Sequence, residues 1–199
     1  MRCLAPLALT LFLLVCLNGC VLPHNPIPKK ESSRQDFLLP LESERITKKP
    51  FGLRVDPKNS PVNPERFSGY HTGADFEVWA HESDVQIRAA CTGPIVLQRY
   101  VSGYGGVVVQ RCTINGSDTT VLYGHVRLSS VDVSVGDTLT IGQTFAILGM
   151  ANSNETDGER AHLHFGIHRG SDIVLTGYVQ SQKVLVHWID PLSINGSAQ

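Results

Sequence analysis

The chain has 199 residues, 42% of them hydrophobic, with 17 basic and 18 acidic side chains and a formal net charge of −1. That length supports one domain with a real core and leaves little room for a second. No basic excess is available to neutralise a run of phosphates, so nucleic acid is not an expected partner.

The N-terminus opens with Met1-Arg2 and an apolar run from Leu4 to Leu17, broken only by Pro6 and Thr10. A bilayer-spanning helix needs about 20 residues, so this run is too short to span. Residues 1–19 instead have the length and flanks of a secretory signal peptide. Leu17-Asn18-Gly19-Cys20 is similar to the bacterial lipobox, whose cysteine is lipidated, although Asn18 is an unusual choice there. An ordinary cleaved signal is the competing reading. A lipidated Cys20 anchors the chain to a membrane without a spanning helix, each buried methylene adding about 0.8 kcal/mol. Val21 follows, not aspartate, and its likeness to sorting in two-membrane bacteria places the expected anchor in the outer membrane, facing the periplasm.

Eight of the 11 prolines fall between Pro23 and Pro64, mixed with Lys, Ser and Glu. That composition predicts an extended tether over 20–66, on which Phe37, Leu38, Leu39 and Leu41 could still dock. From 67 to 199 the pattern becomes short β-rich runs between glycine and polar turns. Predicted strands are 75–78, 85–89, 93–100, 106–113, 119–125, 138–140, 145–149, 162–169 and 184–186. Asn115-Gly116, between two such runs, is a hairpin signal. No stretch sustains a 3.6-residue period, so the expected fold is mostly β: an antiparallel, sandwich-like single domain with few short helices.

Cysteine usage agrees with export. Cys3 and Cys16 leave with the signal and Cys20 takes the lipid, which leaves Cys91 and Cys112 as an even pair in a compartment that permits disulfides. Two buried free thiols are the alternative. Three sequons begin at Asn115, Asn154 and Asn195, and in this setting they read as turn residues.

Three segments carry chemistry. In His71-Thr72-Gly73-Ala74-Asp75 an imidazole and a carboxylate stand four residues apart, with a glycine that lets the backbone bend between them. Alone, such a pair is more often a turn or a surface contact. In His162-Leu163-His164 the two imidazoles share one face of a strand, while Leu163 and Phe165 point to the other. Tyr123-Gly124-His125 closes another strand, and a lone histidine there means little by itself. Together, two imidazoles and a carboxylate form a donor set suited to zinc, and three protein ligands with an open position mark a catalytic zinc site. No His-Glu-x-x-His motif is present, because His81-Glu82 is followed by Ser83-Asp84-Val85.

The order His-x-Gly-x-Asp, Tyr-Gly-His, His-Leu-His-Phe resembles the M23 (LytM/lysostaphin-type) metallopeptidases of bacterial cell walls. Val133 to Gln143, Ile147-Leu148-Gly149 and Asp190-Pro191-Leu192 extend the likeness, which covers about 67–192. The resemblance implies zinc held by His71, Asp75 and His164, with His125 and His162 as catalytic histidines. It further implies an endopeptidase, expected as a monomer, that cuts peptidoglycan stem-peptide cross-links. The bond would be D-alanyl–meso-diaminopimelate in a host with two membranes, or glycyl–glycine where glycine bridges occur. One departure is Asp157-Gly158-Glu159-Arg160-Ala161, where the family usually carries Ser/Thr-Gly-Pro. It creates Glu159-x-x-His162-x-His164, superficially like D-Ala-type carboxypeptidases with a glutamate base. Those enzymes space their His and Asp more widely and lack Tyr-Gly-His, so Glu159 is expected on a solvated loop. The alternative from another class is a non-catalytic or latent lipoprotein that binds wall or activates an amidase. Members with that role lose metal ligands, and here all five positions are filled.

Overall fold

Residues 35–194 of the computed structural model are described, and they fold as thirteen strands and five 3₁₀ helices, with no α-helix among them. The strands are β1 (Arg54–Val55), β2 (Gly69–His71), β3 (Gly73–Glu77), β4 (Gln86–Arg88), β5 (Gly93–Val101), β6 (Gly105–Ile114) and β7 (Ser117–Gly124). They continue with β8 (Val126–Arg127), β9 (Thr138–Leu139), β10 (Thr144–Leu148), β11 (His162–Arg169), β12 (Tyr178–Val179) and β13 (Trp188–Ile189). Every pairing is antiparallel, as expected from the alternating pattern. The main sheet has the order β13-β11-β7-β6-β5-β9, and β3 joins it by pairing with β11.

Turn chemistry sets the long meander. Asn115 and Gly116 between β6 and β7 have φ of 49° and 73°, the two positive values that a tight hairpin turn requires. Strand β11 runs through the middle, with β7 on one side and β3 and β13 sharing the other. Its Leu163, Phe165 and Ile167 enter the core. Phe165 packs against Phe76 at 6.1 Å and Tyr123 at 5.4 Å between ring centroids. Tyr123 is satisfied within this core: its hydroxyl donates to Gln110 Oε1 (2.9 Å) and accepts from the Ala90 amide (2.8 Å). Cys91 and Cys112 are disulfide-bonded across 5.9 Å between Cα atoms, as the even pair suggested.

Two expectations are corrected. The stretch 35–66 is not an extended tether. Phe37, Leu39 and Leu41 lie in the main core, and the Leu38 amide bonds to the Ala90 carbonyl at 2.8 Å. Its charges are paired inside the fold: buried Arg45 takes both oxygens of Glu82 at 2.7 and 2.8 Å, and buried Lys49 meets Glu65 at 2.5 Å. The compact unit takes in the described chain from residue 35, well before the expected boundary at 67. Residues 184–186 are not a strand but part of a 3₁₀ helix, Gln182–His187, none of whose residues is buried. Val184 and Val186 are exposed, so its two valines have no packed surface to favour an extended strand. The short strands β1, β2, β8, β12 and β13 carry too few residues for alternation to reveal them. The signal segment, Cys20 and the Asn195 sequon lie outside the described residues.

Candidate active site

The register of β3 against β11 builds the site. His164 stands opposite Asp75 and His162 opposite Glu77. Alternation puts all four side chains on the face away from Phe76 and Phe165. His71 arrives from β2, just before Gly73 opens β3. A Cβ on Gly73 would lie 2.5 Å from the Phe165 carbonyl oxygen and 2.9 Å from His164 Nε2, so only glycine lets the His71–Asp75 segment press this closely on β11.

His71, Asp75 and His164 are buried, and each offers one atom to a common point. His71 Nε2 lies 2.9 Å from His164 Nδ1, and both nitrogens lie 3.2 Å from Asp75 Oδ1. The other ring nitrogens have partners of their own. His71 Nδ1 faces the Pro50 carbonyl at 3.2 Å and must donate to it, which leaves a lone pair on Nε2. His164 Nε2 faces the Tyr104 hydroxyl at 3.5 Å. With the His164 proton on Nε2 toward Tyr104, three lone-pair-bearing atoms converge, an arrangement suited to a cation. Zinc ligands about 2.1 Å from a tetrahedral ion stand roughly 3.4 Å apart, close to the observed triangle. The donor set therefore fits zinc, and the Pro50 carbonyl and Tyr104 supply the outer contacts that ligating histidines use.

His125 and His162 stand beside this triangle, their ring centroids 4.2 Å apart. His162 Nδ1 donates to the Arg160 carbonyl at 2.9 Å, so a neutral ring presents a lone pair on Nε2. His125 follows β7 with φ of 64°, in the left-handed region that histidine enters more readily than most non-glycine residues. Its Nδ1 is buried with no hydrogen-bond partner among the described residues.

Electrostatics follow burial. Desolvation pushes His125 down to about 3, against the pull of Asp75. It holds His162 well below, and His164 below, the ordinary imidazole value. For Asp75 burial favours the neutral acid, but the neighbouring imidazoles of His162, His71 and His164 outweigh it and hold the carboxyl well below the carboxylate range. Burial raises the hydroxyls of Tyr104 and Tyr178, so both stay protonated donors.

All five predicted histidine and aspartate positions thus meet in one place. A cleft of about 310 Å³ opens onto it, walled by Phe67, Tyr104 and Tyr178. Tyr178 stacks on both Phe67 (5.3 Å) and His71 (5.1 Å). Glu159 departs from expectation: its side chain is only 12% exposed, it lines the cleft, and it pairs with Arg66 Nε at 2.8 Å. It is outside the donor set, and its carboxylate is engaged by Arg66. Tyr104, Tyr178, Lys49, Glu77 and Arg160 have no counterpart among the predicted site residues. For Glu77 a signal existed, since a residue two beyond Asp75 on a strand shares its face.

Comparisons with known proteins agree with this geometry. The chain is 29% identical over 117 residues to endolysin 2638A of Staphylococcus phage 2638A, an alignment covering 58% of this chain and 22% of that protein. It spans about a fifth of the length of the curated relatives it matches. Among solved structures, LytU superposes with a TM-score of 0.51 at 23% identity, over 76% of this chain and 83% of that one. The SpoIIQ–SpoIIIAH pore-forming complex has a chain that superposes with a TM-score of 0.54 at 16% identity, over 83% and 94%. These likenesses show the fold. Residues 69–176, just over half of the chain, match the sequence profile of peptidase family M23, and the chain belongs to that family.

Proposed function

We propose that the protein is a zinc-dependent endopeptidase that cuts peptide cross-links of peptidoglycan, with His71, Asp75 and His164 as metal ligands and His125 and His162 as catalytic histidines. The observation that carries this reading is the complete donor triangle with two neutral, buried imidazoles beside it in one open cleft. Zinc held there supplies Lewis acidity and a nucleophile at neutral pH. The chain's own residues do the rest. His162, its Nδ1 tied to the Arg160 carbonyl, offers Nε2 to the proton of the attacking water. His125, with an unpartnered nitrogen, serves the oxyanion or the leaving amine. The tyrosines flanking the cleft keep their protons and can hydrogen-bond the peptide carbonyl.

The fold alone does not carry this reading, since a chain of the SpoIIQ–SpoIIIAH pore-forming complex shares it. The filled donor set does, and it weighs against a non-catalytic wall-binding or amidase-activating lipoprotein. In the same proposal the chain acts as a monomer, tethered through lipidated Cys20 to the outer membrane and facing the periplasm. Only residues 1–21 support that anchor. Among the described residues no helix is long and apolar enough to cross a membrane.

The test is metal analysis of the purified protein, with digestion of D-alanyl–meso-diaminopimelate cross-linked muropeptides and of glycine-bridged ones, each with and without chelator. One zinc per chain and chelator-sensitive cleavage of the first substrate are expected. Metal-free protein that cleaves neither substrate after zinc is added sinks the enzyme reading. Replacing Cys20 by Ala should move the protein from the membrane to the soluble fraction.

A further inference from the structure

Arg160 occupies a position that neither the metal ligands nor the catalytic histidines explain. It lines the cleft, yet its side chain is only 21% exposed, and its guanidinium turns inward. Nη2 donates to Asp75 Oδ2 at 2.9 Å and to Glu77 Oε1 at 2.7 Å, and Nε donates to Glu77 Oε1 and Oε2 at 3.2 and 3.1 Å. One edge of the guanidinium is thus held by Glu77, as planar Arg–carboxylate pairs are. Lys48 Nζ, 3.3 Å from Glu77 Oε2, braces the same carboxylate. Burial works against the Arg160 charge, and the bonds to Glu77 and the charge of Asp75 more than offset it.

The contact with Asp75 is selective. Oδ1 faces the two histidine nitrogens of the metal triangle, and Oδ2 faces Arg160. Oδ2 also lies 3.3 Å from His162 Nε2. With His162 Nδ1–H committed to the Arg160 carbonyl, Nε2 and Oδ2 are both acceptors and repel. Without another donor, Oδ2 would satisfy itself in one of two ways. It could swing to the metal beside Oδ1, or it could draw the His162 proton across to Nε2 and so remove the lone pair that faces the cleft. The Arg160 guanidinium supplies that donor, while its own backbone carbonyl holds the other end of His162.

We infer that Arg160, braced by Glu77, is a positioning residue that keeps Asp75 bound through Oδ1 alone and keeps His162 in the tautomer with a free Nε2. The inference rests on the zinc reading above. Outer contacts of this kind typically change metal affinity 10–100-fold when removed. Lysine in its place would offer a single point charge, not a two-pronged edge, and would restore only part of the effect.

The experiment measures zinc affinity of wild type, R160M, R160K and E77Q by competition with a chromogenic chelator. It also reads the His162 tautomer in the metal-free proteins by ¹⁵N NMR, with thermal unfolding as a folding control. R160M should bind zinc 10–100-fold more weakly and shift His162 to the Nε2–H tautomer, with R160K and E77Q intermediate. An R160M that binds zinc within twofold of wild type and keeps the Nδ1–H tautomer overturns the inference and leaves the enzyme reading standing. Wild type that takes up no zinc overturns both. Should R160M fail to fold, R160K and E77Q decide: a several-fold loss in both supports the inference, and affinity within twofold of wild type in both overturns it.

Discussion

Phe37→Ala tests how the N-terminal part of the chain relates to the β-domain that follows it. Phe37 is 1% exposed and packs 6.4 Å from the Phe165 ring, directly beneath the strand that carries His162 and His164. Truncating a fully buried phenylalanine removes its transfer free energy and leaves a cavity that relaxes only in part, costing about 3–5 kcal/mol. Domains of this kind have about 5–15 kcal/mol of stability in total, so the change is large but survivable. With a urea m-value of roughly 2 kcal/mol/M, the midpoint should fall by about 1.5–2.5 M. The assay is urea unfolding of the disulfide-intact protein, followed by the fluorescence of Trp79 and buried Trp188. Leu192→Ala, at a side chain 48% exposed, is the control and should stay within about 0.5 kcal/mol of wild type. If Phe37→Ala costs less than about 1 kcal/mol, residues 35–41 do not belong to the core, and the tether description would be right after all.

Three further outcomes are expected. His162→Ala should keep zinc and lose cleavage, whereas His164→Ala should lose both; a fully active His162→Ala refutes the assigned role. Metal-free protein should lose stability as pH falls from about 6.5 towards 3. The unfolded chain protonates its histidines near 6.5, but burial keeps His125 neutral down to about 3 and holds His162 and His164 below 6.5 as well. The stability is therefore fully present above pH 6.5 and lost below it, by about 1.4 kcal/mol per pH unit for His125, with His162 and His164 adding to the loss in the same direction. Urea unfolding at pH 7.5 and pH 5 checks this, and a flat profile contradicts it. Cys91→Ser with Cys112→Ser opens a loop whose ends are 21 residues apart and should cost about 3 kcal/mol. A double variant as stable as wild type would show that the disulfide adds nothing.

What was legible in the sequence was whatever short-range rules decide. Asn115-Gly116 announces a hairpin because its backbone demands two positive φ values. His162 and His164 announce a shared face because alternation needs no knowledge of the partner strand. The clustering of His71, Asp75 and His164 was legible only by joining such local signals, and the register sets His164 opposite Asp75. The contacts that orient the ligands were not. Arg160 reaches Asp75 and Glu77 across 85 and 83 residues, Tyr104 reaches His164 across 60, and the Pro50 carbonyl meets His71 from a stretch that reads as tether. Each depends on a long-range register that no local pattern encodes.

The misreading of 35–66 has a more general cause. Composition counts charges without their partners, and unpaired charges do belong in solvent. Arg45 lies between Glu42 and Glu82, and Lys49 lies against Glu65 and the Tyr178 hydroxyl. Once paired, these residues can be buried, and the apolar residues between them are free to enter the core. The same pairing carries the backbone to the His71–Asp75–His164 cluster, where the Lys49 carbonyl accepts from the Asp75 amide and Pro50 holds the His71 ring. A chain shortened to residue 67 would therefore lose part of the core and the outer support of two proposed metal ligands in a single cut.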